Sequence, residues 1–335
     1  MSLSVIICTN NPRLDYISRV LEALRAQSLS SSEWELVLVD NASRIPLEGS
    51  CDLSWHPQAR CIVETELGAS HARWRAVRET RTDIRVFVDD DNLLSPDYLE
   101  TAVRLLETHP WLGAIGGQIF PEYEVSPPEW LTRYERVLAI RRFKKMRWSN
   151  AADDWQSQPW GAGMVLRKSV CEVYDRNMSK SSERRALGRK GSVLGSAEDI
   201  DLILGCLDVG LGFGTFPELV VTHLIPERRM TEASVASITR AMVTSNLLLS
   251  HLRGEPTELS QRPSLYTHLR GFYHFLKMSS IDRRFAAAVE AGQQDFQVIL
   301  NSQRASQPDT PYPGSVRVIA GGSKVGCGAA DDNTK

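Results

Sequence analysis

The sequence predicts an α/β protein: a mostly parallel β-sheet flanked by helices, followed by a helical C-terminal extension. Three observations carry this. Short apolar runs alternate with segments of helical spacing through the first third of the chain. Those runs are almost continuously apolar, as strands buried on both faces of a sheet must be. From about residue 232 the pattern becomes wholly helical.

The elements follow in order. LSVIIC at 3–8 is apolar and β-branched, the mark of a buried strand. Leu14, Ile17, Val20, Leu21 and Leu24 then recur at helical spacing over 14–27. WELVLVD at 34–40 and RCIVE at 60–64 read as further strands, and GASHARWRAVRET at 68–80 as a small-residue turn running into a helix. DIRVFVD at 83–89 is a fourth strand. A helix is expected over 95–109, with Ser95 as its cap and Pro96 in its first turn. GAIGGQIFP at 113–121 is a strand loosened by glycines. Residues 127–148 read as mainly helical, becoming basic at Arg141, Arg142, Lys144, Lys145 and Arg147. WGAGMVLRKSV at 160–170 gives small residues and then a strand, and polar 179–196 a mobile loop. A helix is expected over 197–210, and a last strand within 213–231 that ends near His223. The tail after about 303 has a disorder-favouring composition, although SVRVIA at 315–320 can pair as a short strand. The expected divisions are 1–232, 233–303 and 304–335.

The 335 residues are 42% apolar and 24% charged, which suits a globular chain able to bury a core without disulfides or metals. A net charge of −2 implies no bulk attraction to nucleic acid. The six cysteines lack zinc-like spacing and read as reduced thiols, with Cys8 and Cys206 in the core. The N-terminus lacks the pattern of a signal peptide, and no apolar run reaches the length of a membrane span. A cytoplasmic location is expected. The basic run 141–147 reads as a solvated face, with an anionic acceptor or peripheral contact with a membrane as alternatives.

VFVDDDN at 86–92 ends an apolar strand in three aspartates. Like charges held together cost stability, so a ligand is expected to compensate them. In open α/β sheets ligands bind at the carboxyl ends of strands, where this cluster falls. Closely spaced carboxylates suit a hard divalent cation such as Mg²⁺ or Mn²⁺, which would also hold substrate phosphates; the alternative is a solvated turn with a helix-capping role. SAEDID at 196–201 puts Glu198 and Asp199 at a helix start. There they can serve the helix dipole, or act as a general base. His223 reads equally as a structural residue or a ligand. Arg228 and Arg229 could offset phosphate charge or equally form a solvated basic turn, and the small residues of WGAG could let substrate approach the backbone or equally make a tight turn.

Taken together, LSVIICTNNPRLDYISRVLEALRAQ, ELVLVDNAS, ETELGASHARWRAVRE, VFVDDDNLLSPDYLE, GAIGGQIFP, WGAGMVLRKS, SAEDIDLILGCLDVG and FPELVVTHLIPERRMT resemble, in order and spacing, the family 2 glycosyltransferases. The match covers roughly residues 3 to 232. The resemblance implies a GT-A fold with a Rossmann-like nucleotide-binding half. It implies an inverting transferase that takes a sugar from a nucleotide-diphosphate donor, most often a UDP-sugar, to a glycan or glycoconjugate hydroxyl. Thr9, Asn11, Asp40 and Arg73 would hold the nucleotide, and Asp89 and Asp90 its ribose and phosphate side. Asp91 would bind a divalent metal, with Asp89 and His223 as further ligands. Asp199 would be the catalytic base with Glu198 beside it. Trp160, Gly161, Arg228 and Arg229 would contact acceptor or phosphate. The chain departs from the family pattern at Asn11, commonly tyrosine, and at Trp74, usually asparagine. Two alternatives are a nucleotide-sugar-binding protein without transferase activity and a nucleotidyltransferase. The latter would carry a glycine-rich basic loop where this chain has CTNNPR.

Overall fold

A computed structural model describes residues 1–190, 195–255, 259–260, 278–306 and 318–319. Strands β1 (Leu3–Thr9), β2 (Trp34–Asn41), β3 (Ala59–Glu64) and β4 (Ile84–Val88) lie side by side in the order β3-β2-β1-β4, all parallel. Side chains alternate across this sheet. Val5, Ile7, Leu36 and Leu38 enter one core with Ile17, Val20 and Leu24 of helix α1 (Leu14–Arg25). Ile6, Val37 and Val39 enter the other with Ala72, Ala76 and Val77 of helix α2 (Ala69–Glu79). Burial on both faces is why these strands are apolar throughout.

The sheet continues through β8 (Met164–Arg167), β6 (Leu112–Tyr123), β9 (Gly212–Ile225) and β5 (Asn92–Leu94), with β7 (Arg147–Ser149) also on β9, making nine strands. This half is mixed. β8 runs antiparallel to β4 and β6, β6 and β9 are parallel, and β5 and β7 run antiparallel to β9. The β6–β9 register slips between Gly116 and Gln118. Gly117 permits the slip, because a Cβ there would stand 1.8 Å from the Leu219 carbonyl oxygen. Helix α3 (Tyr98–Thr108) covers the first core. Helix α4 (Lys168–Lys180), absent from the sequence reading, covers the second with Val170, Cys171, Tyr174 and Met178.

Several expectations are corrected. The helix over 127–148 is confined to a 3-10 helix, Glu129–Leu138. Ala139 then turns left-handed at φ 59°, Arg141 bridges to Ile119, and the basic run continues into β7. Ser95 does not cap α3, which starts at Tyr98; its hydroxyl bonds Asp97 instead. The 179–196 segment contains a short helix, α5 (Ser182–Arg185), and buries Leu187; residues 191–194 lie outside the described residues. The helix expected over 197–210 is α6 (Glu198–Leu204) plus a 3-10 turn at Leu207–Val209, stopped by Gly210 at φ 70°. Cys206 is buried, whereas Cys8 is only half-buried. Helices α7 (Glu232–Leu252) and α8 (Ser280–Ser306) pack on each other. Val318–Ile319 pairs with Leu259–Ser260, and most of the remaining tail lies outside the described residues. No helix among the described residues is long and apolar enough to cross a membrane.

Candidate active site

β1, β2 and β4 end together, so Thr9, Asp40, Asn41 and the three aspartates share the carboxyl edge of the sheet. The loops there are laced by side chains. Asn10 donates to the Asn41 carbonyl at 2.7 Å, and Asn11, at φ 50°, accepts the Arg44 amide at 2.9 Å. Asp40 is buried, and its two oxygens accept the Ser43 and Leu47 amides, each at 3.0 Å. It therefore shapes the loop after β2. Asn41 donates to the Glu66 carbonyl and accepts the Gly68 amide, both at 2.7 Å, which fixes where α2 begins.

α2 delivers Arg73, which is buried. Its guanidinium donates to Glu198 at 3.0 Å and to Asp89 at 3.3 Å. Burial opposes its charge, but Glu198, Asp89 and Asp199 overrule that and raise its pKa. Glu198 is buried with its Oε2 unpartnered among the described residues. Burial pushes its carboxyl up to about 7; Arg73 opposes the shift and Asp199 adds to it. Asp199 sits in the first turn of α6, half-buried. Its Oδ2 accepts the Gly161 amide at 3.0 Å and its Oδ1 the Ile200 amide at 2.8 Å. Gly161 has to be glycine for this contact: a Cβ would stand 2.9 Å from Asp199 Oδ2 and 3.1 Å from Arg73 Nη2.

The aspartates divide their roles. Asp89 faces Arg73. Asp90 accepts the Thr9 hydroxyl, and burial together with Asp91 pushes its pKa up. Asp91 Oδ2 lies 3.3 Å from His223 Nε2 and 3.0 Å from Arg229 Nη1. Burial would raise its pKa, but His223 and Arg229 hold it low. The surroundings thus push Asp90 toward its protonated form and Asp91 toward its charged form, the direction that eases the repulsion the sequence implied. His223 Nδ1 bonds the Leu138 carbonyl at 3.0 Å, and its Nε2 faces Asp91 and Arg229.

The structure thus gathers Arg73, Asp89, Glu198 and Asp199 in one network and Asp91, His223 and Arg229 in another. Asp89 turns to Arg73, and no three His, Cys, Asp or Glu side chains group as a metal site among the described residues. Arg228 is exposed. Trp74 donates to Asp175 at 2.7 Å and ties α2 to α4, so this departure from the family pattern has a structural task. Sequence reasoning missed Asn41 as a tie. It also missed Arg189, an exposed loop residue whose charge reaches Asp91, Glu198 and Arg229. Asn41 follows a strand-ending aspartate, which was a usable signal; Arg189 lies in a polar run that gave none.

Comparisons with known proteins address the family and the fold. The family model for glycosyl transferase family 2 matches residues 4–173. A glucosyl-dolichyl phosphate glucuronosyltransferase of Haloferax volcanii is 27% identical over 135 residues, 38% of this chain and 42% of that protein. An uncharacterized glycosyltransferase of Haemophilus influenzae is 30% identical over 110 residues, 32% of this chain and 35% of that protein. The matched stretch spans less than half the length of either relative. A mannosyltransferase from Pyrobaculum calidifontis, solved in complex with GDP-Man and Mn²⁺, superposes with a TM-score of 0.50 at 18% identity, covering 92% of this chain and 81% of that one. That likeness shows a shared GT-A fold.

Proposed function

Because the chain belongs to glycosyl transferase family 2, we propose that it moves a sugar from a nucleotide-diphosphate donor to a hydroxyl of a glycan or glycoconjugate, inverting the anomeric centre, with Asp199 as general base. The observation that carries this reading is the aim of Asp199. Each of its oxygens is fixed by a backbone amide, and each keeps a lone pair for an incoming proton. The acceptor hydroxyl gives its proton to Asp199 as its oxygen bonds the anomeric carbon. The bond from that carbon to the diphosphate oxygen breaks, and the nucleoside diphosphate leaves with the electron pair. Attack opposite the leaving group inverts the centre. Arg73 holds Glu198 beside the base and Asp89 on the donor side.

Asp91 and His223 would hold a divalent cation, and the donor's phosphates would complete its shell. The residue types suit such an ion, although Arg229 Nη1 stands 3.0 Å from Asp91 Oδ2 and 3.1 Å from His223 Nε2 and would have to turn aside to admit it. A carboxylate and an imidazole suit Mn²⁺, and His223 is oriented through its other nitrogen, as metal-ligating histidines are. The cation would offset charge on the departing diphosphate. Arg229 already brings a fixed positive charge to Asp91. The mannosyltransferase of the same fold was solved with GDP-Man and Mn²⁺, which supports a nucleotide-diphosphate sugar and a divalent metal as ligand classes. Thr9 and Asn11 lie on the β1 side of the same edge, where a nucleotide would rest; a UDP-sugar is the donor to try first.

The test is thermal stability against a panel of nucleotide diphosphates and nucleotide sugars with Mn²⁺, Mg²⁺ or chelator, followed by transfer assays with the responding donor. Asp199→Asn should lower turnover about 10²–10⁴-fold while the nucleotide-induced shift persists. Full turnover in that variant removes Asp199 from the role. A folded protein that responds to no nucleotide overturns the reading.

A further inference from the structure

The basic run, which reads in the sequence as a solvated face or as a contact for an anionic acceptor or a membrane, helps to line a cavity. Arg136, Arg141, Arg147, Trp155 and Trp160 line about 270 Å³ of space together with Ile140, Arg142, Phe143 and Gln156. Arg142 is neutralised by Glu135 at 2.6 Å. The other three arginines have no carboxylate ion pair among the described residues. Arg141 donates to the carbonyls of Gln158 and Gln156, and Arg147 to the Gln156 side chain. Arg136 lies over the Trp155 ring at 3.7 Å, and Arg141 over Trp160 at 5.0 Å. Neutral carbonyls and aromatic faces orient a guanidinium without cancelling its charge. The three cations therefore repel one another across one cavity. Burial, with Arg136 and Arg147 nearby, pushes Arg141 down to about 10, and Asp154 offsets this only in part. The arrangement is anchored in the sheet, since the Arg141 backbone bridges Ile119 through bonds of 2.8 and 3.0 Å.

One chain step links the cavity to the proposed base. Trp160 lines it, and the amide of the next residue, Gly161, holds Asp199 at 3.0 Å. We infer that this cavity receives the acidic group of the acceptor: the chain acts on a glycan that carries a phosphate or carboxylate close to the reacting hydroxyl. Arg136, Arg141 and Arg147 bind that group and leave the hydroxyl beside Asp199. Arginine suits this task because its planar fork matches the oxygens of either anion.

The inference rests on the transferase reading, and the experiment separates the two. Glucose, glucose 6-phosphate and glucuronate serve as probes of the full chain by ligand-observed NMR at low salt. At least one acidic sugar should bind about tenfold tighter than glucose, an advantage that added salt reduces. Whichever acidic sugar is preferred names phosphate or carboxylate as the group recognised. The double variant Arg136→Gln/Arg147→Gln changes two exposed side chains and should abolish the advantage. Lys144→Gln, exposed and outside the lining, should keep it. The double variant should also retain the nucleotide-diphosphate melting shift. Equal binding of all three sugars overturns the inference, as does an advantage that survives in the double variant. Loss of the nucleotide shift in that variant overturns it too, by giving the arginines to the donor. Binding to phosphatidylglycerol vesicles that depends on the arginines, with no preference among the sugars, overturns it in favour of a membrane surface. A wild-type chain with no nucleotide shift but selective sugar binding sinks the transferase reading and leaves the anion site standing.

Discussion

Asp199 and Glu198 are neighbours in sequence with opposite surroundings, and the difference can be tested residue by residue. Asp199 is oriented by the Gly161 amide, and a methyl group at 161 would stand 2.9 Å from its carboxylate oxygen. Gly161→Ala should therefore swing Asp199, the proposed base, aside. Turnover should fall on the order of 10²-fold, the cost of a small misplacement in an organised site, while the nucleotide-induced melting shift stays. Unchanged turnover would mean that the aim of Asp199 is immaterial. Glu198 is a stability matter. Burial, opposed by Arg73 and assisted by Asp199, raises its carboxyl to about 7, so it keeps its proton in the fold at pH values where the unfolded chain has lost its own. The folded state then binds more protons from the ordinary carboxylate range up to about pH 7, and stability falls as pH rises through that window and levels above it. Glu198→Gln has no proton to lose there. The variant should match wild type near pH 5 and exceed it by on the order of 2 kcal/mol at pH 8, read from melting curves across the range. Parallel curves for the two proteins would show that Glu198 ionises normally.

At the scale of elements, the site depends on where α2 starts. Asn41 ties the ends of β2 and β3 to that start through Glu64, Glu66 and Gly68. Asn41→Ala leaves the Gly68 amide and the Glu66 carbonyl without this partner and should cost about 2 kcal/mol in denaturant unfolding. It should also weaken nucleotide binding, because α2 carries Arg73. A loss below a few tenths of a kcal/mol would mean that the loop holds itself. The elements around this tie differ in how plainly the sequence shows them. β1 to β4 stand out because double-sided burial demands unbroken apolar runs. β5 and β7 are three residues each, NLL and RWS, too short to display a period. α4 shows Val170, Cys171, Tyr174 and Met178 at helical spacing, but it follows β8 without a break, so the strand pattern masks its start. Leu131, Tyr134 and Leu138 imitate a long helix, and Ala139 ends it in a left-handed turn that alanine does not advertise. The acids, Arg73 and His223 could be picked out as chemistry-bearing types at strand ends and helix starts. Their division into two networks could not, because side-chain direction decides it: Asp89 turns to Arg73 while Asp91 turns to His223.

For the whole molecule, the C-terminal helices matter more than their sequence suggested. α7 and α8 join both cores: Val235, Ile238 and Phe285 enter the first, and Leu248, Leu249, Phe296 and Leu300 the second. α7 also braces α6 at both ends. Ser245 accepts the Ser196 amide at 3.2 Å, two residues before Glu198, and Arg253 reaches Asp208 beyond the far end at 3.2 Å. α8 holds α7 in turn, through apolar packing and the Arg240–Asp295 ion pair at 2.6 Å. The helix that carries the proposed base is thus braced by a helix pair that lies outside the stretch matched by the family model. Phe296 is the place to test this, since it is fully buried and far in sequence from every proposed catalytic residue. Phe296→Ala should cost about 3–5 kcal/mol from lost packing and the cavity left behind. If the helices and the sheet fold as one unit, calorimetry should show a single transition displaced to lower temperature, and turnover should fall at temperatures where the variant is still folded. Two separate transitions, the lower one alone shifted and turnover intact, would make the extension an independent appendage and leave α6 to support Asp199 by itself.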